Sequence, residues 1–160
     1  MQAEIPSKTT RKQEMHELQQ LGAALVGLSQ AHLEAMTLPE ALAAAVREAR
    51  RMQSHGAKRR QVQFIGRLMR ELDPEPIRAQ LAAVEGGSAA ARARHQRLEH
   101  WRARLMQEDG ARTEFAREHA RADLQQLRTL LRNARKEQAE GRPPRAYRDL
   151  FRVIREAAGE

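Results

Sequence analysis

The sequence contains no cysteine. That removes a disulfide framework, a thiol nucleophile and a thiolate metal site at once. Aromatic residues are nearly as scarce: Phe64, Trp101, Phe115, Tyr147 and Phe151 are the whole set. A β-sandwich or barrel draws on Val, Ile, Thr and aromatics, so this poverty counts against one. Five rings also cannot stack a long run of bases, which argues against a single-strand nucleic-acid binder. No stretch approaches the ~18 apolar residues of a membrane span. Met1 to Lys12 lacks the apolar core of a secretory leader, so a cytoplasmic protein is expected.

Signatures of catalysis are missing too. Gly86-Gly87 lacks the Lys-Ser/Thr that would follow in a phosphate-binding loop, and no G-x-S-x-G element occurs. The histidines are His16, His32, His55, His95, His100 and His119. His95 and Glu99 lie one helical turn apart, with His100 beside them. Adjacent helix positions point about 100° apart, so the three cannot converge well on one ion. The acid pair Glu108-Asp109 reads as a helix end. No cofactor, metal or small-molecule substrate is expected, and the protein reads as no enzyme.

What is present favours helix. Ala, Leu, Arg, Gln and Glu dominate the 160 residues, and all are good helix formers. The expected fold is all-α: two small bundles of about six to seven helices in total, joined by a Gly-Gly hinge. Small helical bundles with few large side chains bury little per residue, so modest stability is expected. Residues 1–9 carry no periodicity and read as a flexible tail. Thr10 and Gln13 form a candidate capping pair. Leu18, Leu21, Leu25 and Leu28 then make one apolar stripe, predicting a helix from about Arg11 to Ala35. Pro39 suits the first turn of a second helix, in which Leu42, Val46, Ala49 and Met52 or Gln53 share a face and Gly56 is the expected end. Val62, Ile65, Met69 and Leu72 are the inward positions of a third, over roughly 57–72. Asp73-Pro74-Glu75-Pro76 breaks it, and a short helix runs from Pro76 to about Val84. Gly86-Gly87 separates an N-terminal subdomain, 10–85, from a C-terminal one, 88–160.

In the second half Ser88 is a candidate cap. Leu98, Trp101 and Leu105 share the next helical face, and Asp109-Gly110 ends it. A short turn around Phe115 follows. Asp123 caps a helix that turns Leu124, Leu127, Leu131 and Ala134 inward, and Gly141 ends it. After Pro143-Pro144 a last helix, about 145–158, buries Tyr147, Leu150, Phe151 and Ile154. No fixed-period repeat is found.

The chain carries 29 Lys+Arg against 21 Asp+Glu, a net charge of +8. The surplus is concentrated. Arg47 to Arg70 holds eight basic residues and one acid, Glu48; Arg128 to Arg155 holds nine and three acids, Glu137, Glu140 and Asp149. Neighbouring acids would normally pair with Arg on a solvated helix. Lys58, Arg59 and Arg60 start a helix, where the dipole disfavours cations and free amides suit a phosphate. The outward face of that helix adds Gln63, Arg67 and Arg70, with Gln61 as a further polar candidate. On the later helix the outward set is Arg128, Arg132, Arg135 and Lys136, with Asn133 nearby. Arginine grips phosphate with a bidentate fork, so two such faces point to nucleic acid read by shape and phosphate.

Three ordered blocks carry a resemblance. They are Lys58-Arg59-Arg60-Gln61-Val62-Gln63-Phe64-Ile65-Gly66-Arg67-Leu68-Met69-Arg70 with Asp73-Pro74-Glu75-Pro76-Ile77-Arg78, then Gln125 to Glu137, then Pro143-Pro144 with Leu150 to Glu156. Together they closely resemble the YjgA/DarP family of proteobacterial ribosomal maturation proteins, over about Arg11 to Ala157. The resemblance implies an all-helical, non-catalytic assembly factor. It would bind late large-subunit (50S) precursors through 23S ribosomal RNA, near the maturing peptidyl transferase centre. RNA contacts would fall on Lys58, Arg59, Arg60, Gln61, Gln63, Arg67 and Arg70, and on Arg128, Arg132, Arg135 and Lys136. Family members often begin with a longer acidic tail; here only Glu4 precedes Arg11, so a role for that tail is not carried over. Two alternatives stay open on the residues alone: a DNA-binding regulator using helix 57–72, and a protein-interaction module pairing through helix 11–35.

Overall fold

The structure, a computed structural model, describes residues 7–160. Among these residues there are nine helices and no strand. The chain divides into two compact units, Met1–Gly87 and Ser88–Glu160.

The first unit holds α1 (Lys8–Gly27), α2 (Gln30–Glu34), α3 (Glu40–Arg51), α4 (His55–Met69) and α5 (Glu75–Val84). Helix α1 begins earlier than its sequence pattern suggests. Ser7, not Thr10, is the cap, and its Oγ accepts from the Thr10 amide at 3.1 Å. Residues 8 and 9 of the expected tail are therefore helical; 1–6 lie outside the described residues. The single helix expected over 11–35 is two. Leu28 turns extended, and the Ser29 hydroxyl accepts from the His32 amide to start α2. Arg50 secures that break: it donates to the carbonyls of Val26 (3.0 Å) and Leu28 at the end of α1. Gly56 does not end the second long helix. Met52 turns extended after Arg51, and Ser54 caps α4 with Gly56 in its first turn. A serine three residues before an amide is a strong local stop signal, because it satisfies a donor that the helix start leaves orphaned. The Ser29 cap adds α2, and the turn expected around Phe115 is a full helix over Ala111–Glu118, so the count rises above six or seven.

Helices α1, α3 and α4 pack on one another around Leu18, Leu25, Leu42, Val46, Ile65 and Met69, all at most 1% exposed. The α1–α4 crossing is close: a Cβ on Gly22 would lie 2.7 Å from Ile65 Cγ2. Only glycine permits that approach. Gln80 of α5 clasps the segment before α3, donating to the Thr37 carbonyl and accepting its amide. Gly86, at φ +78°, closes α5, with its amide on Ala83 and the Gly87 amide on Ala82. That pair of bonds satisfies the last carbonyls of the helix, and the left-handed turn calls for glycine.

The second unit holds α6 (Ala89–Gln107), α7 (Ala111–Glu118), α8 (Leu124–Ala139) and α9 (Arg145–Ala157). Ser88 and Asp123 cap α6 and α8, as their sequence predicts. Leu98, Leu105, Phe115, Leu127, Leu131, Leu150, Phe151 and Ile154 form the core. Leu124, expected inward, is the first residue of α8 and is 44% exposed. Tyr147 is half-buried. Arg102 is the surprise: it is 2% exposed, with its guanidinium 3.9 Å from the Tyr147 ring centroid and 5.0 Å from that of Phe151. It also donates to the Tyr147 carbonyl. Glu137 of α8 accepts the Ala146 amide on both oxygens, at 3.1 and 2.9 Å, and so caps α9 across the unit.

Candidate nucleic-acid interface

Helix α4 is anchored on one side and open on the other. Ile65, Gly66 and Met69 are buried. Gln61 donates its amide to the Ala45 carbonyl of α3 at 3.1 Å, which ties the two helices together. Of the candidate residues on α4, Gln61 thus faces inward. Lys58, Arg59, Arg60, Gln63, Arg67 and Arg70 are exposed. Arg60 leans along the helix, donating from Nε to the Gly56 carbonyl at 3.3 Å. The Ser54 hydroxyl takes the Ala57 amide, so that donor is not available to a phosphate. Lys58, Arg59 and His55 rim an open cleft of ≈ 390 Å³ between α4 and α1, floored by Ala23, Val26 and Val62.

Helix α8 carries its cations differently. Leu127, Leu131 and Ala134 are buried. Arg128, Arg132 and Lys136 follow at steps of four on the exposed side, a row about 12 Å long. Arg135 does not join them. Its fork donates to the Leu105 and Met106 carbonyls at 3.1 Å, holding the end of α6.

Several cations elsewhere in the chain are paired within the fold. Arg47 bridges Glu40 at 2.8 Å, Arg78 bridges Glu75 at 2.7 Å, and Arg142 bridges Glu140 at 2.7 Å. Arg104 holds both Glu108 and Glu114, and Arg152 meets Asp149 and Glu156. The Arg104 guanidinium holds the Glu114 carboxyl below the usual carboxylate range. Among the described residues Lys58, Arg59, Arg60, Arg67, Arg128, Arg132 and Lys136 stand in no salt bridge, as do Arg51, Arg117, Arg121, Arg145 and Arg155; what marks the first seven is their clustering on α4 and α8. Bare cations on two helices repel one another at close range, and an external polyanion relieves that repulsion. Arg94 and Arg97 of α6 are also exposed and without a bridge; their place in an alanine-rich run hid them from pattern reading. The two helices lie in different units, so each surface stands by itself.

Among the described residues no three His, Asp or Glu side chains converge as metal ligands. No described helix is long and apolar enough to cross a membrane.

Comparison with known proteins fits this picture. The pattern of the family described as "Dual-action ribosomal maturation protein DarP" matches residues 4–155. The chain is 52% identical to a protein of that name from Aromatoleum aromaticum over 151 residues, covering 94% of this chain and 80% of the relative. It is 48% identical to one from Nitrosomonas eutropha over 155 residues, 97% and 88% of the two chains. A Burkholderia ambifaria relative of the same name is 50% identical over 157 residues, 96% and 78% of the two.

Proposed function

Because the chain belongs to the DarP family of ribosomal maturation proteins, we propose that it acts in ribosome maturation by binding ribosomal RNA through α4 and α8. The finer reading is a non-catalytic cytoplasmic factor that holds late precursors of the large subunit. Its contact would be 23S ribosomal RNA near the maturing peptidyl transferase centre. The observation that supports it best is the clustering, on two helices, of exposed cations in no salt bridge with a described residue: Lys58, Arg59, Arg60 and Arg67 on one helix, Arg128, Arg132 and Lys136 on the other. Gln63 and Arg70 belong to the same α4 surface. Gln61 and Arg135 act one step back, by fixing the helices that present the others. Their substitution is expected to weaken binding through the fold.

The mechanism is binding energy without turnover. Cations placed on phosphates release condensed counterions and favour the RNA arrangement that accepts them. With ~6 phosphates engaged, binding should fall with salt at a log–log slope of about −4 to −5. Sucrose-gradient sedimentation of cell extract at low salt tests the reading: the protein is expected with large-subunit precursors. A protein that stays at the top of the gradient, or one that prefers duplex DNA to precursor RNA in competition gel shifts, would sink it.

A further inference from the structure

Phe64 is out of place by the rule that governs its neighbours. Val62, Leu68 and Leu72, each partly buried, pack against the core of the first unit; Phe64 is not among the residues that do. It is 40% exposed, and Leu124 is the other large apolar side chain so exposed among the described residues. Helical spacing sets Phe64 inside the cationic face. Arg60 lies one turn before it and Arg67 three residues after, with the Arg67 guanidinium 5.9 Å from the ring centroid. Neither arginine is in a salt bridge.

We propose that Phe64 is a stacking platform for one unpaired RNA base, with Arg60 and Arg67 holding the phosphates on either side of it. The inference rests on the RNA-binding reading above and adds a base-level contact to it. The physical case is the combination of surfaces. A flat apolar ring calls for a flat apolar face, and flanking guanidinium groups call for anions on both sides of that face. A nucleotide supplies both in one unit. Inside a paired helix each base face is already covered by its neighbours, so the occupant is a base bulged out of a paired stem. Stacking of this kind tolerates any base, since all have a π-face.

The test uses the full chain and two labelled RNA hairpins, identical except for one bulged 2-aminopurine. Wild type should bind the bulged hairpin more tightly and quench the 2-aminopurine. Phe64→Ala and Phe64→Leu should each lose about tenfold in affinity for it and lose the quenching, while Phe64→Tyr keeps both. None of the three should alter binding to the fully paired hairpin, the salt slope, or the thermal unfolding temperature, because the ring is not part of the core. Phe64→Leu binding and quenching like wild type would overturn the proposal, because an apolar contact without a ring would then suffice. Unchanged binding by Phe64→Ala would also overturn it, leaving the ring to a protein surface. Wild type that binds both hairpins without discriminating removes the stacking alone. Wild type that binds neither these hairpins nor large-subunit ribosomal RNA removes the functional reading as well.

Discussion

Both units bury leucine, isoleucine and valine; the first adds methionine, and the second adds phenylalanine and Arg102 against the Tyr147 and Phe151 rings. Their basic segments look alike by composition, yet the cations are used differently. In Arg47–Arg70, Arg47 bridges Glu40 and Arg50 closes the end of α1, and the rest of the cluster is exposed. In Arg128–Arg155, Arg135, Arg142 and Arg152 are engaged inside the unit and Arg148 is buried. The contrast teaches that a count of arginines measures two things at once. A unit can use the long stem of arginine as core material beside its apolar side chains, and its charge then serves packing against rings.

The strongest test of that contrast removes Arg102. Arg102→Ala takes away a buried stem and its contacts with Tyr147 and Phe151, and should cost the second unit about 2–5 kcal/mol. Trp101 is the only tryptophan, so its fluorescence reports on the second unit, whereas circular dichroism sees both. The fluorescence melt of this variant should shift far below the dichroism melt of the first unit. Coincident melts would show that the two units do not unfold separately.

Next in size is the loss of charge from each surface. Arg59→Ala, Arg60→Ala and Arg67→Ala together should lower the salt slope by roughly 2–3 and weaken RNA binding about a hundredfold near 0.1 M salt. The α8 triple of Arg128→Ala, Arg132→Ala and Lys136→Ala should act similarly. Filter binding at several salt concentrations checks both. If Arg135→Ala alone matched the α8 triple without any loss of stability, its assignment to the end of α6 would be wrong.

A smaller effect is expected at the α1–α4 crossing. Gly22→Ala forces Ile65 aside and should cost about 1–3 kcal/mol, seen in the first unit and not in Trp101 fluorescence. RNA affinity should fall with it, since α4 shifts.

The smallest effects are electrostatic and confined to the second unit. Burial pushes the Glu137 carboxyl up, against the pull of the Ala146 and Tyr147 amides. Its favourable contribution is therefore full below the ordinary glutamate range and fades as pH rises through the raised folded value. Glu137→Gln keeps an acceptor for Ala146 and should remove that dependence, with under about 1 kcal/mol of change at neutral pH. Glu114 has the opposite sign: its contribution is present above the ordinary range and fades as pH falls through its lowered value. Melts of Glu137→Gln and Glu114→Gln from pH 3 to 7 should diverge from wild type in opposite directions.

Apolar spacing read the helices well where it ran unbroken. The inward sets of α3, α4 and α8 follow directly from steps of three and four, apart from Leu124 at a free helix end. Ser88 and Asp123 were legible as caps because a Gly-Gly pair and a polar stretch precede them. Ser29 and Ser54 were not, since the apolar pattern continues past each and a single hydroxyl decides the break. The cationic faces were legible as charge, and the family blocks as order. What pattern alone cannot carry is the state of each arginine. Arg102, Arg135 and Arg67 are the same letter, and only the packed helices separate a core stem, a carbonyl clamp and an open cation.

The turn at Gly86 and Gly87 bears on how the chain is made. Its two hydrogen bonds reach back to Ala82 and Ala83, so the turn that ends the last helix of the first unit draws on residues already made. The second unit cannot close until Ile154 has been added, because α9 supplies much of its core. At ~5–20 residues per second the interval between those points lasts several seconds, long against the folding of a small helical domain. The α4 surface would thus be complete on the nascent chain while α8 still lacks the helix it packs against.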